Sequence, residues 1–245
     1  MKLFLTAYGF IGLRDKNGNK FAIKVNKEND FSHNLKALIN KTDTLLCISN
    51  NPADFEFNNL ESNMIYLCLK DIGLNFKKTI VLDDRNKKDA NNLIAKADLI
   101  YFIGGLVPCQ NKFLKSLNLK TAIESTPAVI VGQSAGTMNL SKHVYHFPER
   151  DEELNDDRWL EGLGLTNYTI IPHFNLTTGN EYSFGNINYL HDYYLPDSEN
   201  HLLYGLPNGS YFMIEDNITT LFGEAYTISN GKITKICENG QRINL

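Results

Sequence analysis

The sequence has few of the residues that mark metal-binding, disulfide-rich and nucleic-acid-binding proteins. Its four cysteines are widely separated and form no Cys-x-x-Cys pair, so they predict reduced thiols rather than a zinc site or a disulfide framework. The 24 basic residues are outnumbered by 28 acidic ones, for a formal net charge of -4, and the lysines are scattered rather than clustered. A nucleic-acid-binding protein would present a basic patch, so we expect neither a metal ion nor a nucleic-acid partner.

Long hydrophobic runs are also missing. The segment Met1–Gly9 has a basic residue followed by an apolar stretch, but Tyr8 and Gly9 interrupt it, so it predicts a buried strand rather than a signal peptide. No later run approaches the length of a membrane span. With 42% hydrophobic and 21% charged residues, the composition is typical of a globular protein that folds alone. These features together predict a cytoplasmic protein without a membrane partner.

Short apolar runs alternate with amphipathic segments over the first 175 residues or so, which is typical of βαβ units. The pattern predicts an α/β fold: a three-layer sandwich with a mainly parallel central sheet covered by helices on both faces. The expected strands are 3–6, 44–49, 79–82, 99–103, 128–131 and 168–172, and the expected helices are 55–72, 88–97 and 112–117.

The last forty or so residues change character. Four short strands are predicted there, at 211–214, 219–222, 225–228 and 233–237, separated by the hairpin signals Asp216-Asn217, Asn230-Gly231 and Asn239-Gly240. We expect an antiparallel extension at the edge of the sheet, about residues 203–245, within a single domain that spans 1–245. An exposed edge of this kind is compatible with either a monomer or a homodimer.

The most informative motif is Gly132-Gln133-Ser134-Ala135-Gly136, which follows an apolar run and opens a segment able to form a helix. A serine at such a turn is held in a strained conformation with its hydroxyl exposed, which is the arrangement of a nucleophile elbow. The alternative is a glycine-flanked turn with an incidental serine. The strand before the motif and the helix after it favour Ser134 as a nucleophile.

A serine nucleophile needs a base and a group that orients the base. His173 follows the predicted strand 168–172, at the edge where open α/β sheets bind ligands. It is our candidate base, on a strand expected to neighbour the elbow strand. The alternative is a strand-end histidine satisfied by the backbone. The acidic segment 149–157 is a source for the orienting carboxylate, although most of it must be solvated. The residues alone identify this region and not one residue.

Acyl transfer also needs donors for the oxyanion. The N–H of Ala135 follows the nucleophile directly, and the pair Gly104-Gly105 follows a predicted strand, where glycine allows close backbone approach to a substrate. The alternatives for this pair are an ordinary strand-to-helix turn and a phosphate-binding loop. The flanking residues lack both nucleotide-binding glycine patterns, so we expect no nucleotide cofactor.

Three segments together resemble the serine peptidases of the dipeptidase E and cyanophycinase family: Tyr101-Phe102-Ile103-Gly104-Gly105, the elbow 132–136, and Pro172-His173-Phe174. The resemblance implies a flavodoxin-like fold related to class I glutamine amidotransferase domains. It further implies that Ser134 is the nucleophile, that His173 is the base and then the acid, and that Gly105 and Ala135 form the oxyanion hole.

The resemblance also implies that Asp151 is the triad acid, with Glu149 and Glu152 as alternatives. The chain departs from the family pattern at Leu106–Gln110, where a third glycine and an Asn-Thr pair are usual. This loop borders the cleft, so the departure bears on the choice of substrate.

The sequence therefore predicts a serine peptidase, dipeptidase E-like, that hydrolyses small peptides through a Ser-His-Asp/Glu triad and an acyl-enzyme. The resemblance implies aspartyl-type dipeptides as substrates, and no metal or organic cofactor is expected. Two alternatives stay open: an esterase or amidase with the same triad, and a catalytically silent homologue that binds a small molecule in the same cleft.

Overall fold

The computed structural model describes residues 1–14, 20–154, 156–181 and 185–245, with the side chains of all but 11–14, 20–23 and 152 among them. Within these ranges the strands are β1 (Lys2–Thr6), β2 (Phe10–Arg14), β3 (Lys20–Val25), β4 (Thr44–Ile48), β5 (Lys78–Leu82), β6 (Leu99–Phe102), β7 (Val129–Gln133), β8 (His143–Tyr145), β9 (Trp159–Glu161), β10 (Thr169–Pro172), β11 (Leu203–Leu206), β12 (Tyr211–Glu215), β13 (Ile218–Phe222), β14 (Ala225–Ser229), β15 (Lys232–Cys237) and β16 (Arg242–Asn244).

The helices in the described ranges are α1 (Phe31–Leu38), α2 (Phe55–Asp71), α3 (Ala90–Ala95), α4 (Val107–Leu117), α5 (Lys120–Ser125), α6 (Ala135–Leu140) and α7 (Leu195–Asp197). Short 3₁₀ turns lie at Glu28–Asp30, Lys87–Asp89, Asp151–Glu153 and Ser198–Asn200, and a π-helical turn lies at Leu190–Tyr194. None of the helices in the described part of the chain is long and apolar enough to span a membrane.

The central sheet has the spatial order β16-β13-β12-β1-β7-β6-β4-β5. Neighbours from β1 to β5 pair in parallel, as the alternation of strands and helices predicts. Successive side chains of a strand point to opposite faces. Leu3 and Leu5 therefore pack with residues of α3, α4 and α5 on one face, while Phe4 packs with residues of α1 and α2 on the other. This arrangement confirms the predicted three-layer α/β sandwich.

The C-terminal strands are antiparallel, but they are divided between two sheets. β12, β13 and β16 extend the central sheet beyond β1, whereas β14 and β15 join a second sheet of order β10-β11-β14-β15. Two predicted hairpin turns are present: Asp216-Asn217 and Asn230-Gly231 have positive φ at both positions, as tight hairpins require.

Two sequence expectations about these strands were wrong. Asn239-Gly240 does not close a hairpin, because β15 pairs with β14 and β16 pairs with β13, so the turn carries the chain from one sheet to the other. The strand before His173, β10, does not neighbour β7. It pairs in parallel with β11 in the second sheet instead, since β7 is already flanked by β1 and β6.

Candidate active site

Ser134 lies between β7 and α6 with φ 50° and ψ -115°, a backbone conformation that is costly for a residue with a side chain. The flanking glycines are required by close packing. A Cβ on Gly136 would lie 2.4 Å from the carbonyl oxygen of Phe102, and one on Gly132 would lie 2.8 Å from the backbone nitrogen of Thr137. The Ser134 side chain is only half-buried. The strand, the sharp turn and the helix predicted around this serine are therefore all present.

Hydrogen bonds from β1 hold the elbow in place. The Ser134 N–H donates to the Thr6 carbonyl at 3.0 Å, and the Thr6 hydroxyl donates to the Gly132 carbonyl at 2.9 Å. The Thr137 hydroxyl oxygen lies 2.8 Å from the Thr6 carbonyl oxygen and 2.7 Å from that of Gly132. Thr6, Gly132 and Thr137 are buried, so the bonds among them also satisfy polar atoms that are hidden from water. Thr6 and Thr137 were not predicted from the sequence, because the strand pairing that joins them spans more than 120 residues.

The Gly104-Gly105 loop follows β6 and runs against the nucleophile. A Cβ on Gly104 would lie 3.2 Å from the Cβ of Ser134. Gly105 has φ 141°, which favours glycine, and a Cβ there would lie 2.7 Å from the side-chain Cγ of Asn50. The amide of Asn50 donates to the Gly104 carbonyl and so holds the loop. Of the predicted oxyanion-hole residues, Ala135 follows Ser134 directly and Gly105 follows Gly104, which lies against Ser134. Their catalytic role stays a prediction.

The loop continues directly into α4. Leu106–Gln110, where the chain departs from the family pattern, begins this helix, and Pro108 lies in its first turn. The buried amide of Gln110 donates to the Ile103 carbonyl at 2.9 Å. Leu106–Gln110 therefore form a helix start that is tied back to the residue directly after β6.

His173 follows β10 and reaches the elbow. Its Nε2 lies 2.9 Å from the Ser134 hydroxyl oxygen, within the distance needed for proton transfer. The N–H of Phe174 donates to the Leu206 carbonyl, and the Phe174 ring packs over Gly205, where a Cβ would lie 2.6 Å from the ring. Pairing with β11 therefore sets the position of His173. The structure brings together the two residues that sequence analysis selected as nucleophile and base.

The other ring nitrogen of His173 faces Asn208. Its Nδ1 lies 2.7 Å from the Asn208 Oδ1, and the Asn208 side-chain amide donates to the carboxylate of Glu181. β10 and β11 are parallel with Pro172 opposite Leu206, so residues just beyond their carboxyl ends lie side by side. Asn208 was not predicted from the sequence, because Pro207-Asn208-Gly209 has the composition of an ordinary turn.

Burial controls the charge of His173. The side chain is 5% exposed, and this desolvation lowers its pKa to about 4, although the hydrogen bond to Asn208 acts in the opposite direction. The imidazole is therefore neutral near pH 7. A ring proton on Nδ1, accepted by Asn208 Oδ1, would leave Nε2 free to accept the proton of the Ser134 hydroxyl.

The acidic segment lies at the protein surface. Asp151 is exposed and begins the 3₁₀ turn Asp151–Glu153, and the Glu149 N–H donates to the Glu153 carboxylate at 2.9 Å. Glu149 is exposed, but neighbouring atoms partly desolvate its carboxyl group, and this desolvation together with the nearby Glu153 raises the pKa of Glu149 to about 7. The Glu152 side chain lies outside the described residues. The role of Asp151 as the triad acid stays a prediction, and the structure adds Asn208 as a second candidate for the group that orients His173.

Comparison with known proteins identifies peptidases as similar to this chain. The chain matches the model of peptidase family S51 over residues 62–222, well over half of its length. A solved peptidase from an acI-B1 Actinobacterium is similar in fold, with a TM-score of 0.67 at 18% identity, covering 100% of this chain and 96% of that one. A candidate peptidase E from Listeria monocytogenes EGD-e has a TM-score of 0.55 at 17% identity, covering 96% and 97%.

A search of curated proteins gave no significant match. The two solved structures support the flavodoxin-like peptidase fold, and the family model supports the activity class. The protein belongs to peptidase family S51 and is a hydrolase of the serine-peptidase type.

Proposed function

We propose that this protein cleaves small peptides, with aspartyl-type dipeptides as its substrates, through a Ser134–His173 pair that Asn208 orients. One observation carries the proposal: a serine hydroxyl on a strained elbow lies 2.9 Å from the Nε2 of a buried, neutral histidine. This is the geometry that nucleophilic acyl transfer requires. The substrate class rests on the resemblance of the elbow, the Gly-Gly loop and the Pro-His-Phe segment to dipeptidase E.

In the proposed mechanism, His173 Nε2 accepts the Ser134 proton as the hydroxyl oxygen attacks the peptide carbonyl. The Gly105 and Ala135 N–H groups stabilise the oxyanion that forms. His173 then protonates the leaving amine, and an acyl-enzyme remains on Ser134. Water, deprotonated by His173, attacks the ester and releases the acyl product.

Asn208 takes the orienting role in this mechanism because its Oδ1 lies 2.7 Å from the ring nitrogen opposite the nucleophile. An asparagine in this position accepts the Nδ1 proton and keeps Nε2 free, as the asparagine of a Cys-His-Asn triad does. It offers no negative charge to the imidazolium that forms during the reaction. We therefore expect slower turnover than for a triad with a carboxylate.

The proposal is tested with a dipeptide panel enriched in N-terminal Asp, Asn and Glu, with a set of simple esters beside it. Wild type is expected to release amino acids from the Asp-containing peptides and to react with a fluorophosphonate at Ser134. The Ser134→Ala variant is expected to lose both activities. Ester cleavage without any peptide cleavage contradicts the peptidase proposal, and so does a wild-type enzyme that neither turns over peptide nor is labelled.

The same panel compares the two candidates for orienting His173. Asn208→Ala is expected to lower kcat/KM about a hundredfold or more, because it removes the group that holds the ring and its tautomer. Asp151→Asn is expected to have a much smaller effect, since Asp151 is exposed. The opposite ranking of the two variants supports Asp151 as the triad acid.

We also propose that the protein acts in the cytoplasm. All four cysteines are free thiols, three of them buried, as is usual for a protein of a reducing compartment. Fractionation of the native cells with an antibody against the protein tests this location.

A further inference from the structure

Three side chains and one backbone bond form a closed ring behind the active site. His173 Nδ1 meets Asn208 Oδ1, the Asn208 amide donates to the Glu181 carboxylate, and the Glu181 N–H donates to the His173 carbonyl at 2.8 Å. Glu181 is thus tied to His173 twice, through its own backbone and through Asn208. Its side chain is exposed, whereas that of His173 is buried.

An asparagine beside a catalytic histidine has two faces of opposite character. Its Oδ1 accepts a hydrogen bond, and its Nδ2 donates two. With Oδ1 toward Nδ1, the ring proton stays on Nδ1 and Nε2 is free to accept the Ser134 proton. If the amide turns over, Nδ2 faces Nδ1, and the ring proton then belongs on Nε2. In that tautomer the histidine is unable to act as a base toward Ser134.

A carboxylate on the far side of the amide removes this ambiguity, because a carboxylate only accepts hydrogen bonds. We propose that Glu181 is a positioning residue that locks the Asn208 amide with Oδ1 toward His173 and so selects the imidazole tautomer that is competent as a base. The inference rests on the proposed roles of Ser134 and His173. In most serine triads a carboxylate contacts the histidine directly. Here the negative charge lies on Glu181, which is one side chain further from the histidine and at the surface.

The proposal makes a prediction that depends on the side chain at position 208. Glutamine at 181 is isosteric with glutamate but both donates and accepts, so Glu181→Gln no longer prefers one orientation of the Asn208 amide. An aspartate at 208 has two equivalent oxygens and no orientation to select. Glu181→Gln is therefore expected to be harmful when Asn208 is present and not harmful when it is combined with Asn208→Asp.

The test measures the rate of fluorophosphonate labelling at Ser134, at pH 8, for wild type, Glu181→Gln, Asn208→Asp and the double variant. Glu181→Gln alone is expected to label about tenfold more slowly, the scale of a hydrogen bond to a charged group. In the Asn208→Asp background the same change is expected not to lower the rate. Glu124→Gln, on the exposed face of α5, is the matched control and is expected to label like wild type.

The tautomer itself is a second readout. The ¹⁵N shifts of the His173 ring are expected to show a proton on Nδ1 in wild type and a mixture of tautomers in Glu181→Gln. Labelling of Glu181→Gln within twofold of wild type overturns the proposal. So does an equal loss in both backgrounds, which indicates a merely structural role for Glu181.

The experiment distinguishes failure of the Glu181 proposal from failure of the proposed function. If wild type is labelled at Ser134 but cleaves no peptide, the substrate proposal fails while the labelling series still decides the role of Glu181. If wild type is not labelled at all, the ring shifts decide it, and an unchanged tautomer in Glu181→Gln overturns the proposal.

Discussion

The pH dependence of the reaction gives the sharpest test of the site, because burial of His173 lowers its pKa from 6.5 to about 4. Only the neutral ring accepts the Ser134 proton. At pH 5.5, a histidine with the ordinary pKa is about nine-tenths protonated, whereas one with a pKa near 4 is only about 3% protonated. We therefore expect kcat/KM to stay on its plateau down to about pH 5 and to fall with a midpoint near 4.

The assay is kcat/KM for the best dipeptide of the panel between pH 3.5 and 8, which reports the free enzyme. Circular dichroism at each pH checks the fold. This control matters because the unfolded chain binds a proton below pH 6.5 that the folded chain does not bind until about pH 4. The contribution of His173 to stability therefore falls as the pH drops through that window. An acid limb with a midpoint near 6.5 in a folded enzyme refutes the reasoning.

Asn208→Asp extends the same test. A carboxylate 2.7 Å from Nδ1 favours the charged imidazolium and raises the pKa of His173, so the midpoint is expected to move upward by about one to three units. Asp151→Asn is the comparison variant and is expected to leave the midpoint unchanged. A midpoint that moves with Asp151→Asn and not with Asn208→Asp contradicts the orienting role of Asn208.

The backbone of the site supports three further predictions. Ser134→Gly and Ser134→Ala are both expected to be inactive. In urea unfolding the glycine variant is expected to be more stable than the alanine variant by about 1 kcal/mol, because φ 50° is strained only for a residue with a side chain. Equal stabilities of the two variants contradict this. Gly136→Ala places a Cβ 2.4 Å from the Phe102 carbonyl oxygen and is expected to lower the free energy of unfolding by about 1–3 kcal/mol or more, with an unchanged urea midpoint as the contrary result. Gly105→Ala is expected to lower kcat much more than it raises KM. The added Cβ would clash with the Asn50 side chain and shift the Gly105 N–H, an oxyanion donor worth about a hundredfold in rate. A change in KM alone argues against that role.

Much of the fold was predictable because its signals are local. The runs that became β1, β4, β5, β6 and β7 are apolar over four to six residues and are separated by amphipathic segments. The turns at 216–217 and 230–231 use residues that tolerate positive φ, so their hairpins follow from a few neighbouring positions. Asn239-Gly240 has the same local signal but joins two sheets, since the choice of partner strand is made by distant residues.

The active site likewise combines residues that local sequence predicts with a residue that only strand pairing places. By itself, the sequence selected Ser134 and His173 as candidates, because a nucleophile elbow is a local motif and a histidine just past a buried strand is local too. Only the tertiary structure decided which side chain reaches the far nitrogen of His173. That choice depends on the parallel pairing of β10 with β11, more than 30 residues further along the chain, which sets Asn208 beside His173. A contact between residues just past the ends of two paired strands depends on the register of that pairing, which no short stretch of sequence encodes.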